Sequence, residues 1–232
     1  MPLLCRADGA SHAACCAHPA REPAADRPAA QHPGGGGAVT CTLFLVRHGA
    51  TAANAEGRYV GWEDHPLSAD GLAQAEAAAR YLSRFRLTGM RTSDLMRCRQ
   101  TAERIGRATG LTPAPDPRLR ELNFGRFSGL TYEEIARQWP EELAAWLADP
   151  EHAPPPGGES LASLRSRALA ALPRQDGAVV VTHGGVIRTV LAHLTGRGLW
   201  DWRVPPGAMV LLRWDGERAV DEPRVWRPEA GE

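Results

Sequence analysis

Two stretches of this 232-residue chain end an apolar run in a histidine followed by glycine: Leu45-Val46-Arg47-His48-Gly49 and Val180-Val181-Thr182-His183-Gly184-Gly185. In open α/β sheets, ligands gather at the carboxyl ends of strands. Both imidazoles are therefore expected at one rim, beside glycines that let a ligand approach the backbone. Arg47 adjoins the first histidine, and Arg97 lies one turn into a helix expected to start at Ser93-Asp94. Arginine is planar, always charged and bidentate toward phosphate oxygens. Two such cations repel a metal ion, which disfavours zinc or iron at His48 and His183 and favours a phosphoryl group. Taken alone, Arg97 fits a solvated helix arginine equally well, because Arg99 and Arg104 neighbour it. The chemistry has definite requirements. A neutral imidazole attacks through one free ring nitrogen while the other is held by a hydrogen bond. Charge in the transition state lies on the equatorial phosphoryl oxygens, where Arg47, Arg97 and a protonated His183 could stabilise it.

Those residues need a scaffold, and the pattern from Cys41 onward supplies one. Residues 43–46 form a short continuous apolar run, as in a strand covered on both faces. Ser68 is placed to cap a helix through about Arg86, with Leu72, Ala75, Ala79 and Leu82 at helical spacing. Leu95, Cys98, Ala102 and Ile105 predict a helix over 94–109, stopped by Gly110. Thr131 with Glu134 makes a capping box for a short helix ending before Pro140. Further helices are expected near 141–148, 160–172 and 185–195, a Pro/Gly loop at 153–158, and a second buried strand at 178–181. Asp215-Gly216 predicts a hairpin turn between 209–214 and 217–225. This alternation implies a three-layer α/β/α fold with a mainly parallel central sheet.

Composition excludes several classes of function. Lysine and arginine together balance aspartate and glutamate at 27 each, and every cation is arginine. No global field draws the chain to nucleic acid or an anionic membrane, and without lysine there is neither Schiff-base chemistry nor a Walker-type phosphate loop. No C-x-x-C pair occurs; Cys41 and Cys98 read as small buried core residues, in keeping with a reducing, cytoplasmic setting. No apolar run approaches the roughly 20 residues a membrane span needs, and Arg6, Asp8 and His12 interrupt any signal-like core. Residues 1–38, rich in Ala, Pro, His and Gly, are expected to be a disordered leader ahead of a domain over 39–232, or to precede a true start near Val39. The spacing of Cys5, His12, Cys15, Cys16 and His18 fits no zinc pattern.

The octamer Arg47-His48-Gly49-Ala50-Thr51-Ala52-Ala53-Asn54 resembles the signature of the histidine phosphatase (phosphoglycerate mutase-like) superfamily. The likeness continues through Gly57-Arg58, Gly61-Trp62, Asp64, Pro66-Leu67-Ser68, Ser93-Asp94-Leu95 with Arg97, Gln100-Thr101-Ala102 and Leu119-Arg120-Glu121. It then takes in Gly158-Glu159-Ser160 and Thr182-His183-Gly184-Gly185. The resemblance implies a phosphomonoester hydrolase with no metal or other cofactor. In that scheme His48 is the nucleophile, and Arg47, Arg97, His183 and Gly184 surround the phosphoryl oxygens. Asn54 adds a hydrogen bond, Thr51 supports it, Arg58 makes a further substrate contact, and Glu121 is the general acid. Glu121 must then carry a proton at neutral pH, which burial or a neighbouring dianion favours. Trp62 is expected at the pocket entrance, whereas Trp139, Trp146, Trp200 and Trp202 read as packing residues.

Mutase and phosphatase share such a pocket. Mutases of the family carry polar groups beside the general acid and a long insertion after it. Here Leu122 and Phe124 replace those groups, and 61 residues lie between Glu121 and His183. Water as acceptor at an open pocket is the expectation. Residues 121–129, Trp146 with Asp149-Pro150, Pro156-Gly157-Gly158-Glu159-Ser160 and Gly184-Gly185-Val186-Ile187-Arg188 are similar to alpha-ribazole phosphatases of cobalamin assembly. Phe127-Ser128-Gly129 departs from them by lacking a glutamate. Alpha-ribazole 5′-phosphate, a broad range of small phosphorylated metabolites, and mutase-type phosphotransfer all remain open, as does an inactive phosphate- or phosphopeptide-binding module. A monomer or homodimer is expected, with no nucleic-acid or membrane partner.

Overall fold

The structure, a computed structural model, describes residues 40–228; the expected leader at 1–38 lies outside the described residues. Strand β1 (Cys41–Arg47) sits in a six-stranded sheet with β2 (Gly89–Thr92), β3 (Pro113–Pro115), β4 (Ala178–Thr182), β5 (Met209–Trp214) and β6 (Arg224–Trp226). Their spatial order is β3-β2-β4-β1-β5-β6. Pairs β3/β2, β2/β4 and β4/β1 are parallel, and β1/β5 and β5/β6 antiparallel. The mainly parallel α/β expectation is met.

The unbroken apolar runs follow from burial on both faces, because successive strand side chains point to opposite sides. Leu43, Leu45, Val180, Val210 and Leu212 enter one core, and Phe44, Val46, Val179, Val181 and Met209 the other. Helices α2 (Ala69–Leu82) and α3 (Met96–Thr109) supply Ala78, Leu82, Cys98, Ala102 and Ile105 to the second core. The first is covered by α4 (Tyr132–Gln138), α5 (Pro140–Ala148), α6 (Leu161–Ala171) and α7 (Gly184–Thr195). Each such aliphatic side chain removed from water contributes about 1.5–3 kcal/mol before entropy is counted. A one-turn helix, α1 (Ala52–Ala55), follows β1.

Caps fall largely where the sequence puts them. Ser68 accepts the Gly71 N–H, Thr131 and Glu134 form the capping box, and Gly110 ends α3 at φ 77°. Three expectations are corrected. Helix α2 stops at Leu82 rather than near Arg86, since the Ser83 hydroxyl takes the Arg80 carbonyl and Phe85 turns toward the core. Helix α3 begins at Met96 rather than Asp94, its Met96 N–H donating to Asp64 Oδ1 at 2.5 Å. The Asp215-Gly216 turn is a wider loop: Asp215 accepts the N–H groups of Glu217 and Arg218, and Trp214 bridges Ala219 before β6 resumes pairing at Arg224.

Candidate active site

Strands β1 and β4 pair in parallel register with Arg47 opposite Thr182, so the next residue of each is a histidine. His48 N–H donates to Thr182 O at 3.0 Å, and Ser93 N–H, just beyond β2, to Val181 O at 2.9 Å. Three strand ends thereby deliver His48, His183 and Ser93 to one place. The two imidazoles meet edge-on, their ring centroids 5.1 Å apart. Both are withdrawn from solvent: His48 is 3 % exposed and His183 fully buried.

His48 Nδ1 lies 2.7 Å from Gly49 O. A carbonyl can only accept, so Nδ1 carries the proton and Nε2 presents its lone pair. Arg47 donates from Nη1 to Val204 O at 2.6 Å, while its Nε is buried with no partner among the described residues. A buried cationic N–H left over in this way suits an anionic ligand. Gly184 lets the guanidinium lie against the start of α7, since a Cβ there would stand 3.1 Å from Arg47 Cζ. Arg97, 1 % exposed, is held by the Glu63 and Gly61 carbonyls at 2.8 and 2.7 Å. Thr51 caps α1, and Asn54 Oδ1 accepts both its N–H and its hydroxyl at 3.1 Å, leaving the Asn54 amide NH₂ as the end that could face a ligand.

Glu121 stands at the N-terminus of α7. Its Oε2 accepts the Gly185 N–H at 3.0 Å and its Oε1 the Leu122 N–H at 2.9 Å. Only glycine permits this approach, because a Cβ at Gly185 would sit 2.3 Å from Oε1. Arg58 differs from its neighbours. Its Nε bonds Glu56 and its Nη1 the Gly129 carbonyl and Glu134, binding the loop after α1 to α4. Trp62 is 41 % exposed, donates Nε1 to Glu121 O at 2.8 Å and carries the Arg120 guanidinium over its ring at 5.1 Å. Trp146 and Trp202 are buried as expected; Trp200 is instead exposed.

A sequence profile of the histidine phosphatase superfamily (branch 1) matches residues 43–222. The chain belongs to that superfamily. It is 38 % identical over 182 residues to a Yersinia enterocolitica protein named "Probable phosphoglycerate mutase GpmB", covering 74 % of this chain and 79 % of that one. It is 35 % identical to phosphoserine phosphatase 1 of Hydrogenobacter thermophilus, covering 77 % of this chain and 89 % of the relative. The crystal structure of an alpha-ribazole phosphatase from Shigella flexneri superposes with TM-score 0.69 at 28 % identity, covering 77 % and 93 % of the two chains.

The electrostatics of this histidine phosphatase suit a neutral nucleophile. Burial first, then Arg97 and Arg47, hold the His48 imidazole well below its usual 6.5. Arg47, pulled down by burial to about 10, keeps its charge at neutral pH. Burial and Arg97 push His183, too, well below 6.5, which favours its neutral form and leaves the positive charge to the two arginines. Its Nε2 lies 2.9 Å from Ser93 Oγ and 3.4 Å from Cys98 Sγ. Burial raises that thiol to about 12, so it stays an S–H. Sequence reasoning took Ser93 for a helix start and Cys98 for core packing; neither type nor spacing announces a contact with a residue so distant in the chain.

Both histidines titrate lower folded than unfolded, so the unfolded chain binds more protons in the acid range. Their contribution to stability is complete above 6.5 and is lost as the pH falls below it toward the depressed folded values. Each pH unit costs about 1.4 kcal/mol per histidine while the folded ring stays neutral. Urea unfolding at pH 7.5 and 5.5 should show a smaller acid loss for His183→Asn than for the parent protein. Identical losses would refute the assignment of buried neutral rings.

Proposed function

We propose that this chain hydrolyses a small phosphomonoester through a phosphohistidine on His48. The observation that carries the reading is a neutral imidazole with its Nδ1 proton locked on Gly49 O, its Nε2 lone pair free, and the charges of the buried Arg97 and half-buried Arg47 acting on the ring. In the first step a bond forms between His48 Nε2 and phosphorus as the ester P–O bond breaks, and Glu121 gives its proton to the departing alkoxide. Arg47 and Arg97 hold the equatorial oxygens, with the Asn54 amide and the Gly184 backbone as further donors. In the second step water attacks phosphorus, Glu121 takes its proton, and the P–N bond breaks to return neutral His48 and inorganic phosphate.

Water is favoured over a second substrate as acceptor because Leu122 is a core residue and Phe124 packs against that core. The positions where mutases place polar groups thus carry apolar side chains engaged in packing. Small phosphorylated metabolites are the substrate class, and the likeness to the Shigella enzyme makes alpha-ribazole 5′-phosphate the first candidate. Among the described residues no helix is long and apolar enough to cross a membrane; a reducing cytoplasmic setting agrees with the buried Cys98 thiol.

The test is kcat/KM over alpha-ribazole 5′-phosphate, phosphoserine, sugar phosphates and 3-phosphoglycerate, scoring inorganic phosphate against isomerised product. Phosphate release with alpha-ribazole 5′-phosphate at least about tenfold ahead, a difference of 1.4 kcal/mol in transition-state binding, is expected. A better sugar phosphate would remove the narrow substrate. Isomerised phosphoglycerate as the main product would remove hydrolysis itself.

A further inference from the structure

Arg167 on α6 takes no part in the chemistry above, yet its guanidinium is turned wholly toward the segment that bears Glu121. All five of its N–H donors are engaged. Nη1 donates to the carbonyls of Arg118 and Arg120 at 2.8 and 2.6 Å. Nη2 donates to Glu121 O at 2.8 Å and to Glu159 Oε1, and Nε to Glu159 Oε2 at 3.0 Å. Glu159 extends the clamp, accepting the Asn123 N–H at 2.9 Å and donating its own N–H to Asn123 O at 3.0 Å. Backbone on both sides of Glu121 is thus tied to one ion pair whose side chains are only 17 % and 13 % exposed.

The Glu121 carbonyl accepts from Trp62 as well as Arg167, which fixes the peptide from which the carboxyl-bearing side chain departs. We propose that Arg167 is a positioning residue for the proton donor, holding residues 118–123 so that the Glu121 carboxyl meets the leaving-group oxygen. This rests on Glu121 being the general acid. Proton transfer requires heavy atoms within about 2.6–3.2 Å, so a clamp that shifts the carboxyl by an ångström changes the rate without touching substrate. Lysine, with three donors on a single nitrogen, cannot span three carbonyls and a carboxylate.

The readout is the dependence of kcat/KM, which reports the phosphorylation step alone, on leaving-group basicity, from 4-nitrophenyl phosphate to an alkyl phosphate. An activated ester needs no proton donor, and an alkyl ester does. Glu121→Gln is expected to lower kcat/KM for the alkyl ester by about 10²–10³-fold while changing that of the nitrophenyl ester little. Arg167→Met should steepen the dependence the same way, costing the alkyl ester roughly tenfold or more, and should add nothing to the slope in a Glu121→Gln background. Arg167→Lys should fall between. An equal loss on every ester, or effects that multiply in the double variant, would overturn the proposal. An unchanged slope in Glu121→Gln would instead overturn the general-acid reading on which it stands. Should Arg167→Met fail to fold, Glu159→Gln is measured in the same way, with steepening expected and a uniform loss counting against the clamp.

Discussion

His48→Ala is expected to abolish turnover and covalent labelling together, lowering kcat by on the order of 10⁴–10⁶-fold. No second nucleophile stands ready. His183 is as buried as His48, but its Nε2 is taken up by Ser93 and Cys98, and the Cys98 thiol is held protonated. The label to seek is a P–N bond, stable to alkali and lost in acid, so substrate carrying radioactive phosphate should be quenched in alkaline detergent. Glu121→Gln should still take up label from 4-nitrophenyl phosphate and release it slowly, because the same carboxylate activates the hydrolytic water. Label persisting in His48→Ala would move the nucleophile elsewhere and end the assignment.

Arg97→Met should be the most damaging change outside the nucleophile, for two separable reasons. It removes one of two cations poised to meet the phosphoryl oxygens, a loss of about 10²–10³-fold in kcat/KM by analogy with deleting one oxyanion donor. It also strips the Gly61 and Glu63 carbonyls of this partner, at about 1–3 kcal/mol for the buried Gly61 group and less for the exposed Glu63. Arg97→Lys should recover stability better than activity, since one ammonium cannot brace two carbonyls and face a phosphate in the same plane. Steady-state kinetics together with thermal unfolding separate the two effects. An Arg97→Met enzyme within tenfold of the parent in kcat/KM would show that this cation does not meet the transferring group.

How much of this could be read from the chain depended on where each residue's partners lie. Strands β1 and β4 were legible because burial on both faces leaves an unbroken apolar run. β2, as Gly89-Met90-Arg91-Thr92, exposes alternate residues and offers a single large hydrophobe; β3 is Pro113-Ala114-Pro115, whose prolines argue against a strand and are tolerated only at the sheet edge it occupies. The same distinction runs through the site. His48, His183, Arg47, Arg97 and Glu121 stand within motifs of their own, and the fold brings them together. Ser93, Cys98, Glu159 and Arg167 matter through bonds to residues far along the chain, and nothing local marks them. Arg58, whose motif context suggested a ligand contact, also braces Glu56, Glu134 and the Gly129 carbonyl through Nε and Nη1, a role no local pattern marks.

The pairing of Arg47 with Thr182 joins strands that lie far apart along the chain. Because neighbouring residues on a strand face opposite ways, a slip of one position would send one imidazole to the far layer and leave the other alone. Enzymatic activity is consequently a strict gauge of topology in this protein: a refolding chain scores only when two strands far apart in sequence have found each other in the right frame, however much helix it has already regained.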